Sequence, residues 1–406
     1  MSADISELME EARKIEKTNS ALYEQVSRDV FGMPEIGGSE YKTVAYLTDL
    51  LRKLGFTVTM PYGGLDTAFR AEYGSGSPKV AFLAEYDALP GYGPNKDQNA
   101  HACGHSWIAA NAYAACSILS ALKDRFDGTI VYMGCPSEEN YGGKVNMVNA
   151  GCFDDIDAAM QIHIAGGSRT RLAEQALAID SVEFMFHGVS SHASGAPEKG
   201  INALDAAYLT FNGINALRQH VTPDVRMHGI INNGGLAPNV VPAYASCMWY
   251  IRAADRRYLN GLTQRVINCA KGAALMTGAT MEYRYFENSY DDMALNPRLI
   301  GVMADGLTAE GVTGICREPN PATGSTDVGN VSHICPTVMV NMAVGNTDGC
   351  DCHEEGFLPY ITGELGMKAL HQAIMAQMYV ALRIFTDPEL REGLRRDKEE
   401  LARTRA

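Results

Sequence analysis

The chain has 406 residues, 46% of them hydrophobic and 20% charged, an ordinary balance for a soluble globular protein with room for two domains. Its 34 Lys and Arg stand against 48 Asp and Glu, and the resulting formal charge of −14 argues against a general nucleic-acid or anionic-membrane surface. No uninterrupted apolar run reaches the length of about 20 residues that a membrane span needs.

The start, Met1-Ser2-Ala3-Asp4, carries no basic segment followed by an apolar one, so no secretory signal is read there. The ten cysteines are scattered rather than framed at short spacings, and a cytoplasmic location with free thiols is expected. Residues 4–31 read as a helix, and Ser39–Leu54 as a second that stops at Gly55. Phe56–Met60 alternates like a strand. After the turn Gly74–Pro78, the short apolar run Val80–Ala84 reads as a strand buried on both faces, and it runs into Glu85-Tyr86-Asp87. An Ala-rich helix over Trp107–Leu122 follows the loop His101-Ala102-Cys103-Gly104-His105.

The pattern repeats. Thr129–Met133 is a second buried strand leading into Cys135-Pro136-Ser137-Glu138-Glu139-Asn140, and a helix covers Gly143–Ala150. Asp157–Ile162 is a third strand that ends in His163. Thr337–Met342 is a fourth, with Cys350-Asp351-Cys352-His353 in the loop beyond it. The charged run Glu389–Arg405 reads as a solvated helix. Such alternation predicts a doubly wound α/β domain, in which ligands bind beyond the carboxyl ends of the strands. Glu85, Asp87, Glu138, Glu139, His163 and His353 all fall at or just past those ends. Residues 180–291 differ in character: their order β-α-β-β-α-β predicts a ferredoxin-like α+β sandwich. The expected organisation is one α/β domain from 1–179 and 292–406, with 180–291 inserted into it.

The loop around Cys103 carries the chemistry. Thiolate and neutral imidazole are both good ligands for zinc-like ions, although a Cys-x-His pair by itself is more often buried core. Five groups, Cys103, His105, Glu139, His163 and His353, exceed what one tetrahedral ion needs and suit two ions side by side. The adjacent Glu138 and Glu139 can divide the work, one binding metal and the other moving protons; without that context, paired acids would read as a helix start.

These motifs, with Glu85-Tyr86-Asp87-Ala88-Leu89-Pro90-Gly91 and Ser191-His192-Ala193, resemble the M20 metallopeptidases and, more narrowly, their amidohydrolase branch, subfamily D. Within it, the Glu85–Gly91 stretch and Ser325-Thr326-Asp327-Val328-Gly329-Asn330-Val331-Ser332 are most similar to aminoacylase-1-like-2 dipeptidases and p-aminobenzoyl-glutamate hydrolases. The resemblance implies a di-metal α/β catalytic domain with an inserted lid and dimerisation domain, hence a homodimer. Cys103 would bridge two divalent ions, zinc or manganese with cobalt as a third choice, and His105, Glu139, His163 and His353 would complete their shells. Glu138 would be the general base and acid, and His192 would stabilise the oxyanion, where a turn role is the plainer reading. Asn239 and Arg252 would hold the substrate's carboxylate; Arg252 alone reads equally as a surface ion pair. The implied activity is hydrolysis of an amide or peptide bond in a small substrate with a free carboxylate, a dipeptide or N-acyl amino acid. The alternatives are p-aminobenzoyl-glutamate or another N-acyl or aryl amino acid, or a non-catalytic metal-binding scaffold.

The chain departs from the family pattern at three places. Ser106 stands where an Asp is usual, Glu85 where the wider clan has a metal-binding His, and Gly93–Gln98 is an insertion before the ligand loop. His101 is read as support for that loop. A separate zinc site at Cys350-x-Cys352-His353 would lack a second half.

Overall fold

Apolar runs too short for helices form the centre of an eight-stranded sheet, and the polar residues that follow each run collect along its carboxyl edge. The computed structural model describes residues 5–319 and 324–405; Asp4 of the expected first helix lies outside the described residues. In chain order the strands are β1 (Thr57–Thr59), β2 (Phe69–Ser75), β3 (Lys79–Ala84), β4 (Leu89–Tyr92), β5 (Gln98–Ala100), β6 (Gly128–Gly134) and β7 (Ala158–Ala165). They continue with β8 (Thr170–Arg171), β9 (Ala178–His187), β10 (Arg226–Asn233), β11 (Tyr244–Ala253), β12 (Thr280–Tyr285), β13 (Ile315–Cys316) and β14 (Thr337–Ala343). The first helices are α1 (Ile5–Phe31), α2 (Tyr41–Lys53), α3 (His105–Ala121), α4 (Gly143–Asn149), α5 (Ala203–Leu217) and α6 (Arg256–Thr277). After them come α7 (Pro297–Ala309), α8 (Val328–Ser332), α9 (Leu358–Thr362), α10 (Glu364–Thr386) and α11 (Pro388–Arg405).

Two compact units emerge, one of Met1–Gln175, Met293–Pro321 and Asp327–Ala406, the other of Ala176–Asp292 with Ala322–Thr326. The first holds the mixed sheet β1-β2-β6-β3-β7-β14-β8-β13. Its middle strands β6, β3, β7 and β14 are parallel, while β1, β2 and β8 join antiparallel to their inner neighbours. Every residue of β6 and β7 is buried, as befits strands covered on both faces. The helix α3 is apolar all round and buried along almost its whole length. His163 lies inside β7 rather than at its end, because pairing with β14 runs on to Ala165. The sequence reading leaves out β2, whose alternation Phe69-Arg70-Ala71-Glu72-Tyr73 is a period-2 signal. It also omits the hairpin β4–β5 and the helices between 296 and 386.

The second unit is a four-stranded antiparallel sheet in the order β10-β11-β9-β12, with α5 and α6 packed on one face. That order, with one helix after β9 and another after β11, is the ferredoxin-like arrangement. Among the described residues no helix is long and apolar enough to cross a membrane.

Between α1 and α10, His371 Nδ1 lies 2.6 Å from Glu16 Oε1 and its Nε2 3.1 Å from Glu24 Oε1. The bond to Glu16 raises the imidazole pKa against the opposing effect of burial, and Glu24 adds to the rise. A raised folded-state pKa contributes stability that is complete below the unfolded value and is lost as pH rises through the folded one. Thermal unfolding of the wild type and His371→Gln should therefore differ most below the ordinary imidazole pKa of about 6.5, and the difference should shrink as pH rises above it, a trend opposite to acid destabilisation.

Candidate metal centre

Local backbone geometry brings the ligand residues together. Gly104 is left-handed (φ +83°) at the start of α3, and a Cβ there would sit 2.1 Å from Ile164 Cγ2, so only glycine lets the loop lie against β7. Cys103 Sγ then comes 3.4 Å from His163 Nε2. Two non-glycine residues beside the site are also left-handed, Ser137 (φ +62°) and His353 (φ +73°), a strain that functional sites commonly carry. Ser137 precedes the Glu138-Glu139 pair, and its N–H donates to Glu40 Oε1 at 2.9 Å. Burial holds the Glu40 carboxyl up to about 7, against the hydrogen bond from Thr67.

The imidazoles are oriented from behind. His105 Nδ1 lies 2.9 Å from Asp87 Oδ1, and Asp87 Oδ2 accepts the Glu139 N–H at 2.9 Å. His163 Nδ1 donates to the Ile164 carbonyl at 2.6 Å. Each bond leaves Nε2 as the bare, inward-facing nitrogen. The possible ligand atoms of Cys103, His105 and His163 lie within 4.8 Å of one another, and so do those of Cys103, Glu139 and His353. These two groups share Cys103. His105 Nε2 and Glu139 Oε1 are buried without a hydrogen bond, although Glu139 Oε1 is 3.1 Å from His353 Nε2, poorly aligned for one. Buried polar atoms left in this state, among sulfur, imidazole and carboxylate donors, fit a pair of divalent ions.

Beside these groups lies a cluster of carboxylates, Glu85, Glu138 and Asp327, whose oxygens are also within 4.8 Å of one another. Lys144, wholly buried, sends Nζ to Glu85 Oε1 at 2.5 Å and to Asp327 Oδ1 at 2.6 Å. Gln161 donates to the other Glu85 oxygen at 2.8 Å. Enclosure of Glu138, then the charges of Glu85, Glu139 and Asp327, push its carboxyl well above the ordinary carboxylate range. A proton-transfer group benefits from that shift. Lys144 and Gln161 are missed by sequence reasoning, which has no signal for one lysine in a short helix. Asp87 and Asp327 stand in motifs that it singles out without giving them roles.

The remaining predicted residues are in the second unit. His192 is exposed; its Nδ1 accepts the Gly195 N–H at 3.1 Å, so Nε2 carries the proton. The neighbouring Ala193 N–H donates to the carbonyl of Asn239 at 3.0 Å, which brings those two loops together. Arg252 lies on β11, where Nη1 donates to Ser325 Oγ at 3.1 Å. It forms no ion pair among the described residues, and its buried Nε has no hydrogen-bond partner.

The family model for peptidase family M20/M25/M40 matches residues 81–376. The chain belongs to this family. A mouse Xaa-Arg dipeptidase is 32% identical over 388 residues, which are 92% of this chain and 88% of that protein. One of the polypeptides of the Escherichia coli p-aminobenzoyl-glutamate hydrolase is 36% identical over 279 residues, covering 65% of this chain and 57% of that polypeptide. Among solved structures, a dinuclear metal binding M20 peptidase from Bacillus subtilis aligns with a TM-score of 0.67 at 18% identity, over 91% of this chain and 99% of that one.

In this M20 chain the departures from the family pattern find physical places. Ser106 is buried with its hydroxyl unbonded, and Asp87 rather than residue 106 orients His105. His101 is buried 3.3 Å from the Met33 carbonyl, outside every candidate ligand group among the described residues. The Cys352 thiol turns toward the carbonyls of Ile164 at 3.3 Å and Cys103 at 3.6 Å, and no separate cysteine site forms among the described residues. The Gly93–Gln98 insertion tips the β4–β5 hairpin and reaches Glu355 through the Gly93 N–H at 3.0 Å and Lys96 Nζ at 2.8 Å. Removing Lys144 takes away the cation that meets both Glu85 and Asp327 and leaves those two buried carboxylates without it. Lys144→Met should lower unfolding free energy in a denaturant titration by about 3–5 kcal/mol.

Proposed function

We propose that this protein is a metal-dependent amidohydrolase that cleaves the amide or peptide bond of a small substrate with a free carboxylate, a dipeptide in the first instance. The observation that carries the reading is a pair of ligand groups sharing Cys103, with Glu138 in a third group alongside His105 and Glu139. Cys103, His105, Glu139, His163 and His353 would hold two divalent ions; zinc or manganese suits the donor set, with cobalt as a further choice. When bound, such ions acidify water and polarise a carbonyl oxygen.

Glu138 takes a proton from the attacking water as the C–O bond forms, holds it in an environment that favours the neutral carboxyl, and delivers it to the departing nitrogen as the C–N bond breaks. His192, with its proton on Nε2, is the donor for the oxyanion that develops on the carbonyl. Arg252, a half-buried guanidinium without an acidic partner among the described residues, is the group for the substrate's carboxylate, with Asn239 beside it in that role. The mouse relative's name supports a dipeptide and the Escherichia coli relative's supports an aryl amino acid amide, which remains the alternative. The intact base and ligands speak against a non-catalytic scaffold.

The second unit also offers a dimer surface: β10 is an edge strand carrying exposed Ile230 and Ile231, next to Leu236 and Val240. Ten unpaired cysteines support a reducing compartment, the cytoplasm.

A panel of dipeptides and N-acyl amino acids, assayed with added Zn²⁺, Mn²⁺ or Co²⁺, tests the activity. Glu138→Gln should keep its metal by mass spectrometry and its unfolding midpoint, yet lose roughly 10²–10⁴-fold in kcat. Cys103→Ala should lose metal as well as turnover. Full activity in Glu138→Gln removes the base assignment.

A further inference from the structure

Beside the Cys103 sulfur stands a second thiol that the hydrolytic chemistry does not use. Cys352 Sγ lies 3.6 Å from the Cys103 carbonyl oxygen and 3.3 Å from that of Ile164. The Ile164 carbonyl also accepts His163 Nδ1, and His163 Nε2, across the ring, is 3.4 Å from Cys103 Sγ. The two cysteines thus flank one imidazole, and their thiols interact directly. Backbone bonds enforce this placement. Asp351 Oδ1 accepts the N–H of Gly166 at 2.7 Å and that of Cys352 at 2.8 Å, and the His353 N–H donates to the Ala102 carbonyl at 2.9 Å. Backbone segments joined by such bonds run about 5 Å apart, within the range of Cα separations that a disulfide spans. Cys350 turns elsewhere, its sulfur packed where a Cβ on Gly356 would lie only 2.6 Å away.

Position gives the pair a consequence. Cys103 belongs to both candidate ligand groups, so one covalent change at its sulfur takes a donor from each. Cys103 is buried and Cys352 only partly so, which makes Cys352 the thiol that a dissolved oxidant meets first. We infer that Cys352 is an oxidant-sensing thiol that closes a reversible disulfide with Cys103 and thereby disables both ligand groups at once. The inference rests on the reading that Cys103 serves two ions. With a peroxide as oxidant, Cys352 Sγ attacks a peroxide oxygen. The S–O bond forms as the O–O bond breaks, and the departing oxygen leaves as water with the thiol proton. Cys103 Sγ then attacks the Cys352 sulfur; the S–S bond forms as the S–O bond breaks, and a second water carries off the Cys103 proton. Both sulfurs are oxidised, the peroxide is reduced, and an external thiol restores the pair by exchange. In a reducing compartment such a bridge is transient, which suits a switch rather than a structural staple.

Wild type, Cys352→Ala and Cys350→Ala, each stripped of metal and treated with hydrogen peroxide, are compared by peptide mass spectrometry without reduction. Wild type and Cys350→Ala should yield a peptide pair joined through Cys103 and Cys352 that dithiothreitol separates, and Cys352→Ala should yield none. In a second arm the zinc-loaded proteins receive peroxide beside a chromogenic chelator. Wild type should release zinc roughly 10-fold faster than Cys352→Ala, and dithiothreitol should restore its zinc binding. Equal zinc content and unfolding midpoints before oxidation confirm that the variants fold, and the wild-type peptide map stands without them. A wild-type map with no Cys103–Cys352 link, a link to Cys350 in its place, or equal zinc release from Cys352→Ala would overturn the inference. Zinc binding and dipeptide cleavage by that same protein would leave the hydrolase reading intact. A reversible Cys103–Cys352 link in a chain that holds zinc but cleaves no amide would support the switch and sink the hydrolase reading instead.

Discussion

A single carboxylate, Asp87, sets the geometry of the candidate metal centre. One of its oxygens meets Nδ1 of His105 and the other accepts the backbone N–H of Glu139, so two candidate ligands from different loops are referenced to one group. The bond to His105 selects the tautomer whose Nε2 is bare, and the bond to Glu139 fixes the loop carrying both acidic residues. Asp87 can do this because β3 lies between β6 and β7 in parallel register, with Ala84 opposite Gly134 and Phe82 opposite Met160. The residues beyond β3 and β6 therefore emerge at the same edge, alongside His163 near the end of β7.

Charge accounts for the division between ligand and support. Burying an unpaired carboxylate costs several kcal/mol, so a cluster of Glu85, Glu138, Glu139, Asp87 and Asp327 requires cations. Lys144 answers for Glu85 and Asp327, and Gln161 occupies the second oxygen of Glu85. Glu85 therefore belongs to the permanent, protein-neutralised half of the cluster, although it stands where the wider clan has a metal ligand and lies 3.6 Å from His105 Nε2. Cys103, His105, Glu139, His163 and His353 make up the other half, and none of them has a lysine or arginine partner among the described residues. The arrangement separates the candidate metal ligands from the residues that neutralise one another around Glu138.

Much of this was legible in the sequence because strand ends in an α/β sheet are places where polar residues have little structural reason to gather. Glu85, Asp87, Glu138 and Glu139 follow apolar runs that can only be buried strands, and the structure collects them at one edge. Sequence pattern puts His163 one residue beyond its strand because an apolar run gives no sign of how far pairing continues. Lys144 and Gln161 are invisible for another reason: their meaning comes entirely from partners 59 and 76 residues away, Lys144 and Gln161 both reaching Glu85. Local pattern carries no trace of such a contact. The ferredoxin-like unit is readable from strand and helix spacing, whereas the hydrogen bond from Tyr250 of β11 to Glu287, just past β12, appears only once the sheet has formed.

The most exposed candidate ligand, His353, shows how an insertion can become part of the site. Its backbone is left-handed, a conformation that costs a non-glycine residue of the order of 1 kcal/mol or more and persists only where surrounding bonds enforce it. Its N–H donates to the Ala102 carbonyl at 2.9 Å, next to Cys103, and its own carbonyl accepts from Tyr92 at 2.7 Å. Two residues on, Glu355 ties the same loop to Gly93 and Lys96 at the hairpin tip. The β4–β5 hairpin thus grips His353 from two points and couples it to the loop that carries Cys103 and His105. An insertion that looks peripheral in the sequence holds this candidate ligand in a conformation the chain would not otherwise keep.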